Sequence, residues 1–548
     1  MATETEAVAA SGGAVGLHRS IGFWGLTFIS LGSIIGSGWL LGALNAAVVA
    51  GPASLISWVL AAIILTVLAL VHSELGTSYP VAGGTARYPY FAFGALAAFT
   101  AGWAAWLQAV AVAPIEVEAS LSYLNSIEWV REHFNMLTQS GSLNGLGLIV
   151  SAVFMLGFTV LNLLGAKLLS ESNTGMVIWK AFVPLLAIVV IMALSFHPSN
   201  FTAGGGFAPH GVHGIFAALP LGVVFALQGF EQAVQMAGEA KDPQRHLSRA
   251  IMLAMAVGAV LYIMLEVAFI GGLNPANLAR GWDNPIGVGD YGPYYTLAVA
   301  VGAGWLATIL IIDAFISPAG TGLLYLGTTA RLSYALGQEE VLPQQLTHVN
   351  KRGVPVYSIA LAFIVGMLFF LPFPSWSKLV GVITSATAIM YAFAPITLAA
   401  LQKRDPNRYR PYRMPWPAVL NPAGFCFANL IIYWSGFDVM WKLLALILVG
   451  RVLFEIALRR ADPKRTDVDF RASSWIWPWL IGDTLIAVLG RYGGHNLLPE
   501  WIDILVVVAF SLGIFYYAVA FSRSTAHVYE AIEREDWQLP TSDEVTLP

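Results

Sequence analysis

The chain has 548 residues, of which 57% are hydrophobic and 11% charged, with 28 Lys or Arg against 32 Asp or Glu. Ordinary soluble domains carry about 25% charged residues, so a soluble globular protein is excluded, and a net charge of -4 with basic residues scattered over loops excludes a nucleic-acid footprint. The apolar residues come in runs of about 20, enough to cross roughly 30 Å of hydrocarbon as a helix, so the fold class is an all-α polytopic membrane protein.

Residues 1–17 are mostly small or acidic and lack the basic stretch, short apolar core and cleavage site of a signal peptide. A cytoplasmic tail over 1–20 is expected, and the first span is itself the membrane signal. About fourteen spans follow, at 21–47, 52–77, 88–123, 146–164, 174–195, 213–237, 249–273, 294–329, 355–372, 376–401, 417–435, 438–458, 475–490 and 501–522. The third and eighth are too long to cross upright and predict strong tilt or projection beyond the lipid. The single Cys426 falls in the eleventh and has neither a disulfide partner nor metal-ligand spacing, so it reads as a small apolar helix residue. The thirteenth is short and carries Pro478 and Asp483, which leaves a re-entrant or interfacial helix open beside a full crossing. Residues 523–548 form a second tail.

With the N-terminus inside, about 21 Lys and Arg fall on the inner side, among them Lys241, Arg245, Arg249, Arg331, Lys351, Arg352 and the cluster from Lys403 to Arg413. About five fall outside, at Arg131, Arg280, Lys378, Lys442 and Arg491, and Lys180 and Arg451 lie within spans. Both termini are therefore expected in the cytoplasm, with the protein multi-pass in a cell inner or plasma membrane.

The first span reads Gly32-Ser33-Ile34-Ile35-Gly36-Ser37-Gly38-Trp39 at its middle. Glycine costs about 1 kcal/mol in a helix relative to alanine, so unwinding is cheap here. The backbone groups it frees at membrane depth need a ligand, water or another helix. Read alone, the segment also suits close helix packing, because Gly32 and Gly36 form a GxxxG pair. A second interruption, Phe225-Ala226-Leu227-Gln228-Gly229-Phe230-Glu231, lies in the sixth span. Interrupted helices at corresponding places in two halves point to a transporter of inverted repeats with its site at their interface. Half-helix N-termini bind a carboxylate and freed carbonyls an ammonium group, so together they suit a zwitterion. A substrate carboxylate is expected at Ser37 and Gly38, and its ammonium at carbonyls near Ile34 and Phe225.

The glycine-rich first span, Glu74-Leu75-Gly76 through Pro80 to Gly83-Gly84, Gly229-Phe230-Glu231 with Gly238-Glu239-Ala240-Lys241-Asp242-Pro243, and Arg331-Leu332-Ser333-Tyr334-Ala335 resemble the amino acid-polyamine-organocation (APC) superfamily permeases. Within it the chain is most similar to the bacterial aspartate:proton symporter group. That closer likeness rests on Gly36-Ser37-Gly38-Trp39-Leu40, Gly51-Pro52 to Ser57-Trp58, Gly304-Trp305-Leu306-Ala307-Thr308 through Asp313 to Ser317-Pro318, and Leu371-Pro372-Phe373-Pro374-Ser375-Trp376. The resemblance implies a leucine-transporter-type 5+5 inverted repeat over 21–401, with about four additional C-terminal transmembrane helices over 402–522. It also implies uptake of an acidic amino acid.

An ionisable group in a span is costly and marks a functional candidate. Lys180 resembles a lysine that proton-coupled relatives place where sodium sits in sodium-coupled ones. Its expected neighbours are carbonyls near Gly32 and Ser33 and the hydroxyl of Ser317; a lysine, unlike an arginine, can release and regain a proton. Snorkelling to the cytoplasmic surface is the alternative. Asp313, one turn before Ser317, either pairs with Lys180, carries a proton itself or faces an outer vestibule. Glu116 and Glu118 point about 200° apart on a helix, with Glu116 the candidate for proton coupling and Glu118 read as hydrated. Glu231 resembles a pH-responsive glutamate of family antiporters and equally suits a structural partner for helix-end donors. Gln228, both donor and acceptor, is a candidate contact for a substrate side chain. Phe225 is similar in position to an aromatic closing over the ligand, and ordinary packing is its alternative.

No phosphate loop is present, and His72 with Glu74 lacks the second histidine of a zinc motif. No cofactor, metal or enzymatic activity is expected. The reading is a proton-coupled secondary active transporter (symporter) importing an amino acid, with lipid bilayer, substrate and proton as its partners. An exchanger, or a permease for neutral amino acids or polyamines, is the alternative within transport, and a non-transporting amino-acid sensor the alternative from another class.

Overall fold

The computed structural model describes residues 21–81, 83–164, 166–287, 292–338, 343–350, 354–371, 375–460 and 468–533. The expected tail over 1–20, most of that over 523–548, Lys351, Arg352 and Pro372, Phe373 and Pro374 lie outside them. The described residues are helical, with isolated bridges and no strand.

The first predicted span forms as two helices, α1 (Phe23–Ile34) and α2 (Ser37–Ala50). Between them Ile35 (φ -90°, ψ 87°) and Gly36 (φ -125°, ψ -142°) leave the helical region, as the glycine-rich stretch predicts. The second span is α3 (Ser54–Ser78). The third corrects its expectation: the run is two helices, α4 (Gly84–Phe93) and α5 (Ala95–Asn125), meeting at Gly94 with φ 85°. A corner absorbs part of the excess length that was assigned to tilt or projection. A short α6 (Glu128–His133) precedes α7 (Gly145–Leu164) and α8 (Ala166–Leu194), the fourth and fifth spans.

The sixth span is the most divided. It runs through α9 (Gly211–Ala218), a π turn over Leu219–Val223, α10 (Val224–Leu227), an extended Gln228, and α11 (Glu231–Gln235). The seventh is α12 (Pro243–Gly272), capped by Asp242, whose side chain accepts from the Arg245 N–H at 3.1 Å. Beyond α13 (Pro275–Leu278), the eighth run also splits, into α14 (Pro293–Ala300) and α15 (Gly304–Gln338). With 35 residues, α15 is about 50 Å long, so here the expected excess over the membrane thickness remains. The others are α16 (Val356–Phe369), α17 (Trp376–Arg404), α18 (Pro417–Trp434), α19 (Phe437–Arg460), α20 (Ile476–Leu489) and α21 (Glu500–Phe521), followed by α22 (Thr525–Glu533).

Among the described residues, 8 segments are long and apolar enough to cross a membrane. The most apolar stretch of α17 is 100% buried and that of α5 89%, against 33% for α7 and 28% for α21. So α5 and α17 run through the middle while α7 and α21 turn apolar faces outward. Helix α5 packs along α15 and α17, and α12 along α3 and α1. The C-terminal helices join this core through α18 and α19, which lie on α17. The segments flanking α20 and α21 also satisfy the last carbonyls of α4: Ser473 Oγ donates to Phe93 O at 2.8 Å and the Arg523 N–H to Ala92 O at 3.0 Å. Cys426 is buried in α18, as read from the sequence.

Candidate functional site

The two helix breaks meet at the centre of the core. Gly229 has φ 120°, and a Cβ there would lie 2.8 Å from the Ser33 backbone carbon. At Gly38 a Cβ would lie 2.7 Å from Ala226 Cα. Only glycine allows either approach. Ser30 Oγ adds a hydrogen bond across the breaks, to Phe230 O at 3.3 Å. Beside the contact lies a narrow cavity with room for about one water molecule, lined by Ser33, Ile34, Gly36 and Gly38 of the first break, Phe225 and Gln228 of the second, Gln108, Val112 and Glu116 of α5, and Thr321 and Tyr325 of α15.

Glu116 sits where a substrate carboxylate was expected. Its Oε2 accepts the Ser37 N–H at 2.8 Å and its Oε1 the Ser37 hydroxyl at 3.1 Å, so a carboxylate of the protein covers the N-terminus of α2. Trp376 Nε1 donates to the same Ser37 hydroxyl at 3.0 Å. The carbonyls expected for the ammonium also have donors: Tyr262 OH reaches Ile34 O at 2.8 Å, and the Gln228 N–H reaches Phe225 O at 3.3 Å. Ile34 O also accepts the Gly36 N–H at 3.2 Å, whereas Phe225 O keeps a second lone pair. Gln228 is buried with its Oε1 free of any hydrogen-bond partner, an acceptor at the cavity wall. Phe225 is half-buried and packs edge-on against Trp376, ring centroids 5.7 Å apart.

Lys180 is buried and does not snorkel. Its Nζ donates to Gly32 O at 3.0 Å, as expected, and to Thr321 Oγ1 at 2.7 Å. The hydroxyl assigned to it from the sequence is thereby corrected from Ser317 to Thr321, one turn further along α15 and on the same face. Ser317 instead donates to Asp313 Oδ1 at 2.7 Å. Asp313 is fully buried rather than exposed in a vestibule, and its Oδ2 accepts from Trp39 Nε1 at 3.0 Å. Glu118 is corrected too: it is buried, 2% exposed, rather than facing solvent, and neither of its oxygens has a hydrogen-bond partner among the described residues.

Glu231 takes the helix-end role. It accepts from the Gly229 N–H at 2.9 Å, Tyr391 OH at 2.6 Å and Tyr325 OH at 3.2 Å, binding the second break to α15 and α17. His72 and Glu74 diverge. His72 Nδ1 meets Leu68 O at 2.7 Å, whereas Glu74 accepts from the Met414 N–H at 2.8 Å and pairs with Arg410 at 3.2 Å.

The structure thus brings Ile34, Gly38, Phe225, Gln228 and Glu116 to one cavity and places Ser37, Lys180 and Glu231 immediately behind its wall. Asp313 and Ser317 form a separate pair beside Trp39. Sequence reasoning missed Thr321, Gln108, Tyr262, Tyr325 and Tyr391. The Thr321 position was legible as the next residue on the Asp313–Ser317 face, but the tyrosines carry no local signal that separates them from packing.

Residues 21–453 match the amino acid permease family. Over 522 residues the chain is 35% identical to the glutamate/serine transporter AimA of Bacillus subtilis (strain 168), covering 94% of this chain and 96% of that protein. It is 34% identical to the aspartate-proton symporter of the same organism, over 91% of this chain and 96% of that one. The branched-chain amino acid permease BcaP, also of that organism, is 28% identical over 83% of this chain and 96% of the relative. With a helix pair broken within its core and a cavity of mixed polar and apolar lining between the breaks, this chain belongs to the amino acid permease family, within the APC superfamily, and is an amino-acid transporter rather than an enzyme.

Proposed function

We propose that the chain imports an amino acid together with a proton by alternating access, in a cell inner or plasma membrane with both termini cytoplasmic. The transport unit is the 5+5 inverted repeat over 21–401, and the helices over 402–522 are an addition to it. One observation carries the coupling: the Glu116 carboxylate occupies the Ser37 N–H and hydroxyl at the start of α2. Substrate carboxylate and Glu116 compete for the same donors. A proton taken up by Glu116 removes the charge that the helix N-terminus stabilises, and the side chain then yields Ser37 and Gly38 to the substrate. The substrate ammonium takes the second lone pair of the Phe225 carbonyl and replaces the Gly36 N–H on the Ile34 carbonyl, and its side chain lies towards Gln228 and Phe225. After inward release Glu116 gives its proton to water and returns to Ser37. Lys180 ties α1 to α15 through Gly32 O and Thr321, and a change in its protonation alters how tightly those helices hold together.

The names of two relatives, a glutamate/serine transporter and an aspartate-proton symporter, favour an acidic substrate. A neutral substrate is the second reading, favoured by the commitment of Lys180 Nζ to two acceptors of the protein. Uptake by proteoliposomes under an imposed inward proton gradient tests coupling. Accumulation of labelled aspartate, glutamate or serine that collapses with the gradient is expected, and accumulation indifferent to it contradicts the proposal.

A further inference from the structure

Helix α12 carries a buried carboxyl, Glu266, that no part of the transport reading uses. It is fully buried, and its partners come from α3: the Ser54 hydroxyl donates to Oε1 and Trp58 Nε1 donates to Oε2 at 3.0 Å. The Trp58 ring lies flat against Tyr262, centroids 5.1 Å apart and planes 6° from parallel. Tyr262 stands on α12 one turn before Glu266 and sends its hydroxyl to the Ile34 carbonyl at the first break, 2.8 Å away. That hydroxyl is also 3.4 Å from where a Cβ on Gly38 would lie, which puts it directly behind Ile34 and Gly38, two residues of the cavity wall. A stacked ring restrains its neighbour's tilt, and the restraint holds only if the stacking ring is itself fixed. Trp58 has one polar atom, its ring N–H, and Glu266 is what that atom binds.

We propose that Glu266 is a positioning residue for the amino-group end of the substrate site: it fixes Trp58, Trp58 fixes the Tyr262 ring, and the Tyr262 hydroxyl aims the Ile34 carbonyl. The proposal rests on the reading that this carbonyl receives the substrate ammonium. It predicts that Glu266 acts on recognition of the amino group and leaves recognition of the carboxylate alone. An amide keeps one acceptor for Trp58 and presents an N–H to the Ser54 oxygen, so Glu266→Gln preserves the relay. Glu266→Ala leaves the Trp58 N–H unbound, and Tyr262→Phe keeps the stack but removes its end.

The test measures binding to the purified full chain of three matched pairs: L-glutamate and glutarate, L-aspartate and succinate, L-serine and 3-hydroxypropionate. The pair whose amino acid binds wild type most tightly is the one followed in the variants. Glu266→Ala and Tyr262→Phe are each expected to weaken the amino acid about tenfold, the scale of one buried hydrogen bond. Neither should change the des-amino partner, and Glu266→Gln should match wild type. Equal weakening of both members by Glu266→Ala, or no effect of Tyr262→Phe, overturns the proposal. Should Glu266→Ala fail to fold, Tyr262→Phe and Glu266→Gln decide it alone. A wild type that distinguishes the members of no pair removes the underlying reading of the break, a result separate from any variant.

Discussion

Glu116 and Asp483 are both carboxyls buried among helices, one in the transport core and one in the C-terminal helices, and their surroundings are opposite. Glu116 lies beside a broken rod, and the break supplies a backbone N–H and a hydroxyl at membrane depth. Asp483 lies in α20, 4% exposed, with neither oxygen hydrogen-bonded. The cavity it lines is walled by Ile389, Ile432, Met440, Leu443, Leu444, Ile447 and Leu480, with Thr484 as the other polar residue, and the Thr484 hydroxyl donates to Leu480 O at 2.8 Å. The nearby Trp479 Nε1 is taken by Asn429 Oδ1 at 2.7 Å. In a continuous helix the backbone N–H groups are spent within the helix. Interrupting the helix is therefore what gives the buried Glu116 a backbone partner that Asp483 lacks.

Replacing Lys180 presses hardest on this contrast, because it is the cation holding the broken α1 to α15. Lys180→Ala should cut gradient-driven uptake to below about a tenth, ~1.4 kcal/mol or more, with residual exchange of labelled for unlabelled substrate; full uptake would detach the break from coupling. Gly229→Ala comes next, since it adds a Cβ against Ser33 at φ 120°. A cost of about 1–3 kcal/mol is expected, read as a lowered melting temperature and weakened substrate binding together. Glu116→Gln keeps an acceptor for Ser37 but cannot cycle a proton. Substrate exchange should persist within about twofold of wild type, while accumulation stops responding to an imposed pH gradient; an undiminished response would move coupling to another group. Asp483→Leu has the smallest expected effect on transport. Removing an unpartnered polar group from an aliphatic cavity should leave uptake within about twofold and change stability by about 1 kcal/mol or less in the unfavourable direction, or raise it. Loss of uptake would join the two cavities in one pathway.

Much of the scaffold could be read from residue order. The first break was visible because Gly32, Gly36 and Gly38 make helix continuity expensive, and the spans because apolar length has few other uses. Corners were harder to see. At Gly94 the apolar run continues unbroken through the turn, so hydropathy alone merged α4 with α5. Lys180 was identified as a charge within a span, yet its hydroxyl partner slipped by a turn: Ser317 and Thr321 share a face, and only the axial offset of α8 against α15 selects between them. Glu266 carried the same signal as Lys180, a charge within an apolar run, but nothing local announced that its partners would be Ser54 and Trp58, more than two hundred residues earlier.

Residue order by itself determined that the chain crosses a membrane many times and where two of its segments are free to unwind, because these depend on transfer of side chains from water to hydrocarbon and on the local cost of glycine. Only tertiary structure decided what meets the unwound ends. That Glu116 rather than an open cavity faces Ser37, that Tyr262 holds Ile34, and that Asp483 is left without a partner follow from how the helices are rotated and staggered against one another. Rotation and stagger are set by the sum of many small packing contacts between segments far apart in the chain.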